Sequence, residues 1–302
     1  MKNRLKKFWK NLVSILSKKE LSILPGQLAF FFVLSVIPIL MLIFLTANWL
    51  NLSYDIITNF VKESFSRDIA EFITPLISGK TIDFKFVVFI IIAFFIATNG
   101  AHSVIITSNT VFNIPNSKVL PRRIKSVILT FIMITLMIFV LLVPVFGQSL
   151  LNLADFFGVQ NEVLQLFHAI LPYIKWPISM FIIFFFIKVI YTIAPDAQIP
   201  SKYVNRGAIF TTVFWMISSF LYSYYISNIA RYDLFYGSLS GLIILMLWFY
   251  LMAYIFVVGL AINYRKVEIH IERTNSLKLD EIKKREEEYN NKMLKSVDIK
   301  KK

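Results

Sequence analysis

The sequence predicts an all-α, polytopic membrane protein with six transmembrane helices, N and C termini cytoplasmic, and amphipathic helices in its outer loops. Three observations carry this expectation. Charged residues make up 17% and apolar residues 57% of the 302 positions, with a mean hydropathy of +0.67; a soluble domain carries roughly a quarter charged and about half apolar residues. Runs nearly free of charge extend over Gly26–Asp55, Phe86–Ser117, Ser126–Ala154, Gly207–Ala230 and Leu234–Tyr264, and a sixth, Trp176–Ala194, is interrupted only by Lys188. Each is close to or beyond the ~20 residues that a helix needs to cross hydrocarbon, where uncompensated backbone groups force such runs into helices.

The third observation is where the charge sits. Segments 1–25, 116–125, 195–206 and the tail from Arg265 carry net charges of +6, +4, +1 and +4, whereas the intervening 51–85, 152–176 and 231–235 together carry −2. Basic segments therefore alternate with near-neutral ones, as the positive-inside rule requires. Orientation accounts for the net charge of +14, and no nucleic acid need be invoked.

In chain order, residues 1–25 form a basic amphipathic segment, with Leu5, Phe8, Trp9, Leu12 and Leu16 on one stripe and Lys2, Lys6, Lys7 and Lys10 elsewhere, suited to the cytoplasmic interface. Residues 26–264 form the six-helix transmembrane domain. Its first helix carries Ser35 and Pro38; the proline cannot donate to the carbonyl of Leu34, so a kink and a free acceptor are expected. Pro144 does the same for Val140 in the third helix. In the outer loop 51–85, Tyr54, Ile57, Val61, Phe65, Ile69 and Phe72 recur at helical spacing, and Leu153 to Phe167 repeat the pattern in the second outer loop. Residues 265–302 form a charged cytoplasmic tail whose Glu281/Arg285 and Glu288/Lys292 pairs suit a solvated helix.

Candidate functional residues are polar groups inside the runs. The second helix turns polar after Ala97, placing Asn99 and His102 where they must find partners in the bundle, either as interhelical bonds or as cavity lining. In the fifth, Thr211, Trp215, Ser218, Tyr222 and Tyr225 form one polar stripe with Ser219, Ser223 and Ser227 beside it. Such a face looks toward other helices or an aqueous cavity. Gly237 and Gly241 open the sixth helix as a small-xxx-small packing pair. Lys188 either snorkels to the interface or meets an anionic headgroup. The expected path is thus Ser35, Pro38, Asn99, His102, Lys188, Trp215, Ser218, Tyr222 and Tyr225. With no cysteine and three scattered histidines, no metal-ligand set, cofactor site or catalytic residue is expected.

Tyr191–Asn263 resembles the C-terminal half of the YihY/BrkB family of bacterial inner-membrane proteins. The resemblance rests on Pro195, Gly207-Ala208, Trp215, Tyr225–Asn228, Tyr236-Gly237-Ser238, Gly241, Trp248 and Gly259, with Leu28-Ala29-Phe30-Phe31, Ser35 and Pro38 resembling the family's first helix. It implies six transmembrane helices in the inner membrane. It also brings a ribonuclease name and transporter-like or serum-resistance names. Where the family commonly has an acidic residue two positions after the last helix's glycine, this chain has Ala261. Metal-assisted phosphodiester hydrolysis needs clustered carboxylates or histidines, which the sequence does not frame. The expectation is a transporter or permease-like protein whose partners are membrane lipids and an anionic or lipid-linked substrate. The alternative is a non-transporting scaffold for envelope assembly.

Overall fold

The computed structural model describes residue 17 and residues 22–35, 84–135, 161–228 and 231–300. The expected N-terminal amphipathic helix, the kinks at Pro38 and Pro144, and the helices of loop 51–85 lie outside the described residues. Among the described residues every regular element is helical and no strand occurs. Helix α1 is Ser22–Ser35, α2 is Phe84–Phe112, α3 covers 119–135 and α4 is Asn161–Ile193. A 3-10 turn at Ser201–Tyr203 leads into α5, Asn205–Asn228; then come α6, Tyr232–Tyr236, a second 3-10 turn, Gly237–Leu239, and α7, Ser240–Lys300.

Local chemistry sets the first hairpin. α2 stops where Asn113 takes the left-handed conformation, φ 52°, a region asparagine tolerates. Ile114 N–H then donates to Asn109 O at 2.8 Å and Asn113 N–H to Thr110 O at 3.3 Å, the paired bonds of a Schellman turn. Pro115 prevents the helix from resuming. After the reversal, Pro121 stands in the first turn of α3, where no backbone donor is needed. Phe94 and Phe131, 4.8 Å apart between ring centroids, fix the antiparallel register of α2 and α3.

Two helices are longer than the hydropathy pattern marks. α4 is one helix of 33 residues, joining the expected outer-loop helix to the span that begins near Trp176; Glu162, Gln165, His168 and Lys175 end the apolar run but not the helix. α7 likewise joins the last span and the tail in 61 residues. Neither glycine nor proline follows Gly259 to break it.

The interior mixes polar side chains into an apolar core, and the outer surface is apolar. Thr98, Asn109, Thr211, Thr212 and Asn263 are buried, while Phe95, Phe131, Phe181 and Phe220 are each more than half exposed. Asn205–Ile226 and the apolar part of Ser240–Glu287 are long and apolar enough to cross a membrane, so these outward side chains suit lipid. The described core joins Leu28, Ile105, Leu129, Ile190, Ala208 and Phe256 from six helices.

α5 and α7 cross closely at Gly207 and Gly259. A Cβ on Gly207 would run into the Gly259 carbonyl and the Asn263 side chain, and one on Gly259 into Thr211 Oγ1 and the Tyr191 hydroxyl. Asn263 holds the crossing from within: its Oδ1 accepts from Gly207 N–H at 2.9 Å and its Nδ2 donates to Val204 O at 3.1 Å. Tyr191 of α4 adds a hydroxyl bonded to Thr211 Oγ1 and donating to Phe256 O, both at 2.7 Å.

Candidate functional site

The first cluster lies in the α2–α3 hairpin. Arg123 Nη1 donates to Asn99 Oδ1 at 2.8 Å, and its guanidinium stands 5.9 Å from the centroid of the Phe95 ring. His102 Nδ1 is 3.2 Å from Ser126 Oγ, which itself donates to Arg122 O. Arg122, Arg123 and the carboxylate of Asp196 all lie within electrostatic reach of His102. Among the described residues neither arginine is in an ion pair, and Arg122 Nε is enclosed without a hydrogen-bond partner. The two arginines counted in the sequence as loop charges thus stand in the first turns of α3, facing α2.

The second cluster closes the same end of the bundle. Asp196, just past α4, accepts from Asn109 Nδ2 at 2.8 Å, Ser117 N–H at 2.9 Å and Lys125 Nζ at 3.2 Å. Its own N–H donates to Asn109 Oδ1 at 2.8 Å, and Lys125 also donates to Pro195 O. The Asp196 side chain is only 7% exposed. Burial pushes its carboxyl up, but the bonds from Ser117, Asn109 and Lys125 outweigh it and hold the group below the usual carboxylate range. Alongside, Asn113 Nδ2 donates to Tyr264 OH, which donates to Glu268 Oε1 at 2.6 Å. The hairpin tip, the α4–α5 connection and the start of the charged half of α7 therefore share one end of the molecule.

Other expected site residues fall apart from these clusters. Ser35 Oγ donates to Phe31 O at 2.7 Å and faces Gly100 and Ala97 O on α2. Pro38 lies outside the described residues. On α5, Trp215 Nε1 donates to Met252 O at 2.9 Å and Tyr222 OH to Ile244 O at 2.6 Å, both backbone acceptors on α7. Ser218 is half-buried between them, and Tyr225, 40% exposed, bonds Tyr232. Lys188 is half-buried with its Nζ 5.8 Å from the Phe184 ring centroid. Among the described path residues, Asn99 and His102 alone share a cluster with arginine.

Of the expected glycine pair, Gly237 makes no close helix contact. Gly237 precedes α7 in a left-handed conformation, φ 51°, and a Cβ there would meet nothing; it makes a turn, while Gly241 is buried inside the helix. The close approach of α5 and α7 is seen at Gly207 and Gly259. Among the described residues no group of three or more His, Asp or Glu side chains could hold a metal ion.

A family model described as Virulence factor BrkB matches residues 12–284. The ribonuclease-like protein YfkH of Bacillus subtilis strain 168 is 32% identical over 265 residues, covering 85% of this chain and 94% of that protein. A UPF0761 membrane protein of Haemophilus influenzae strain 86-028NP is 23% identical over 261 residues, 83% of this chain and 90% of its own length. One of Idiomarina loihiensis is 26% identical over 105 residues, 35% and 37% of the two chains. No solved structure matches.

Proposed function

The chain belongs to the Virulence factor BrkB family and is an integral bacterial membrane protein; from that premise we propose that it moves an amphipathic or lipid-linked anionic substrate across the cytoplasmic membrane. In this reading six helices cross, both termini are cytoplasmic, and the substrate path draws on Ser35, Pro38, Asn99, His102, Lys188, Trp215, Ser218, Tyr222 and Tyr225. The basic end of the bundle, with Lys118, Arg122, Arg123, Lys125, Lys202, Arg206, Arg265 and Lys266, supports the orientation.

One observation carries the reading. Ser103 Oγ and Thr107 Oγ1, one turn apart on α2, are buried without a hydrogen-bond partner. Neighbouring hydroxyls instead bond back to their own helices: Ser108 to Val104 O, Thr130 to Ser126 O, Thr192 to Lys188 O and Thr212 to Ala208 O, each at 2.8 Å. An unmade bond at such a site costs about 1–3 kcal/mol, so a polar group that reached these hydroxyls would be favoured there.

We do not extend the ribonuclease-like name of the Bacillus relative to this chain. General-base chemistry needs an acceptor within reach of the nucleophile, and the carboxylate of Asp196 is already occupied by three donors. The bonds from Trp215 and Tyr222 to α7 would also serve a scaffold, and flux separates the two readings. Purified protein in liposomes, with a fluorescent anionic lipid confined to one leaflet, should speed its appearance in the other. A rate equal to that of protein-free liposomes overturns transport and leaves the scaffold.

A further inference from the structure

The Arg123 side chain points away from the hairpin tip. In the register set by Phe94 and Phe131, Arg123 sits about level with His102. Its guanidinium nevertheless reaches to Asn99 and Phe95, which lie farther from the hairpin tip. A basic side chain near a helix end would ordinarily snorkel toward water; this one extends inward. Counting from Lys85, the charge at the opposite end of α2, Asn99 is about 21 Å along the helix, roughly 9 Å inside the far edge of a ~30 Å hydrocarbon core.

Among the described residues the guanidinium has only neutral partners, Asn99 and the Phe95 ring, and Arg122 adds a second positive charge close behind. A charge so placed needs a counter-ion. The surroundings indicate what kind. Phe95, 56% exposed, is flanked on the outward surface by Ile92, Ile96, Ile124, Ile128 and Phe131, each at least 40% exposed. One residue, Phe95, thus belongs both to the cationic cluster and to the lipid-facing wall.

We propose that the outward face shared by α2 and α3 binds an anionic phospholipid, its phosphate on Arg123 and Asn99 within the field of Arg122, and its acyl chain along Phe95, Ile96, Ile128 and Phe131. A phosphate accepts the guanidinium donors that Asn99 leaves unused and pairs with arginine in bidentate fashion. The same apolar wall favours a lipid over free phosphate. The site rests on the reading of the chain as a membrane protein; its test measures binding alone, so its failure is distinguishable from failure of transport.

The full chain, reconstituted in nanodiscs, is probed with spin-labelled phosphatidylglycerol and phosphatidylcholine, and the motionally restricted lipid fraction is measured. Phosphatidylglycerol should be preferred about five-fold or more, equivalent to about 1 kcal/mol. Arg123→Gln should bring the ratio near one and Arg123→Lys should retain part of it, whereas Arg273→Gln on the exposed part of α7 should leave it unchanged. Millimolar inorganic phosphate should not compete. If Arg123→Gln does not accumulate, Phe95→Ala supplies the second readout, with a lowered restricted fraction expected. An unchanged ratio in Arg123→Gln, equal loss in Arg273→Gln, or displacement by inorganic phosphate each overturns the proposal.

Discussion

Asn109 and Asp196, 87 positions apart, exchange two hydrogen bonds: the Asn109 amide donates to the carboxylate at 2.8 Å and its oxygen accepts the Asp196 N–H at 2.8 Å. The Schellman turn that ends α2 places Asn109 for this exchange, and Lys125 of α3 completes it. Three elements are fastened by one carboxylate.

Removing that carboxylate should loosen the end of the bundle. Asp196→Ala leaves the Asn109 amide, Ser117 N–H and Lys125 without their acceptor, and breaking one side of a buried pair costs about 3–5 kcal/mol. The expected result is a markedly lower thermal midpoint in detergent, with a smaller loss for Asp196→Asn. Equal midpoints for Asp196→Ala and wild type would show that the cluster holds nothing.

The same group predicts an acid response. Its folded pKa lies below the ordinary 3.8, so its stabilisation is full above that value and fades only as pH falls through the lower, folded pKa. Between pH 7 and pH 5 the Asp196→Asn and wild-type midpoints should therefore differ by a constant amount. A gap that closes already by pH 5 would contradict the depressed pKa.

Glycine substitutions should sort by geometry. Gly207→Ala places a methyl against the Gly259 carbonyl, a backbone atom that no rotamer change can move, so folding should fail or fall by several kcal/mol, as overpacking does. Gly26→Ala meets nothing within 4 Å and should be neutral. Thermal midpoints of the two purified variants, or the yield of the first, decide the matter.

Sidedness can be tested on the cysteine-free chain. Cysteines at Ser201 and Ser276 share the Asp196 end, and one at Arg231 stands at the other; all three positions are exposed. An impermeant thiol reagent on sealed cells should label Arg231→Cys alone. Labelling of Ser201→Cys would invert the proposed orientation.

Hydropathy disclosed the helical class and the polar faces of α2 and α5, because apolar runs and their 3.6-residue spacing are local signals. It misplaced the start of α3: Arg122 and Arg123 look like loop charges when a helix is taken to begin at its first apolar residue, although first turns tolerate charge. Asp196 stood out only as an isolated carboxylate, with no sign of what it holds. A single carboxylate in a short connection acquires meaning only when Asn109, Ser117 and Lys125 arrive from distant sequence. Asn263 and Tyr191 were silent, since a lone amide or phenol inside an apolar run does not say which helix it will meet.

The unbroken run of α7 has a mechanical consequence. Its 36 residues beyond Tyr264 make a rod of about 54 Å at 1.5 Å per residue, rooted in the Gly207–Gly259 crossing without a glycine or proline hinge between. A tilt of about 10° at that root, about 61 Å from the rod's far end, would sweep that end through roughly 11 Å. The tail is in effect a pointer geared to the membrane helices, so that a small rotation among α4, α5 and α7 becomes a large displacement at its tip.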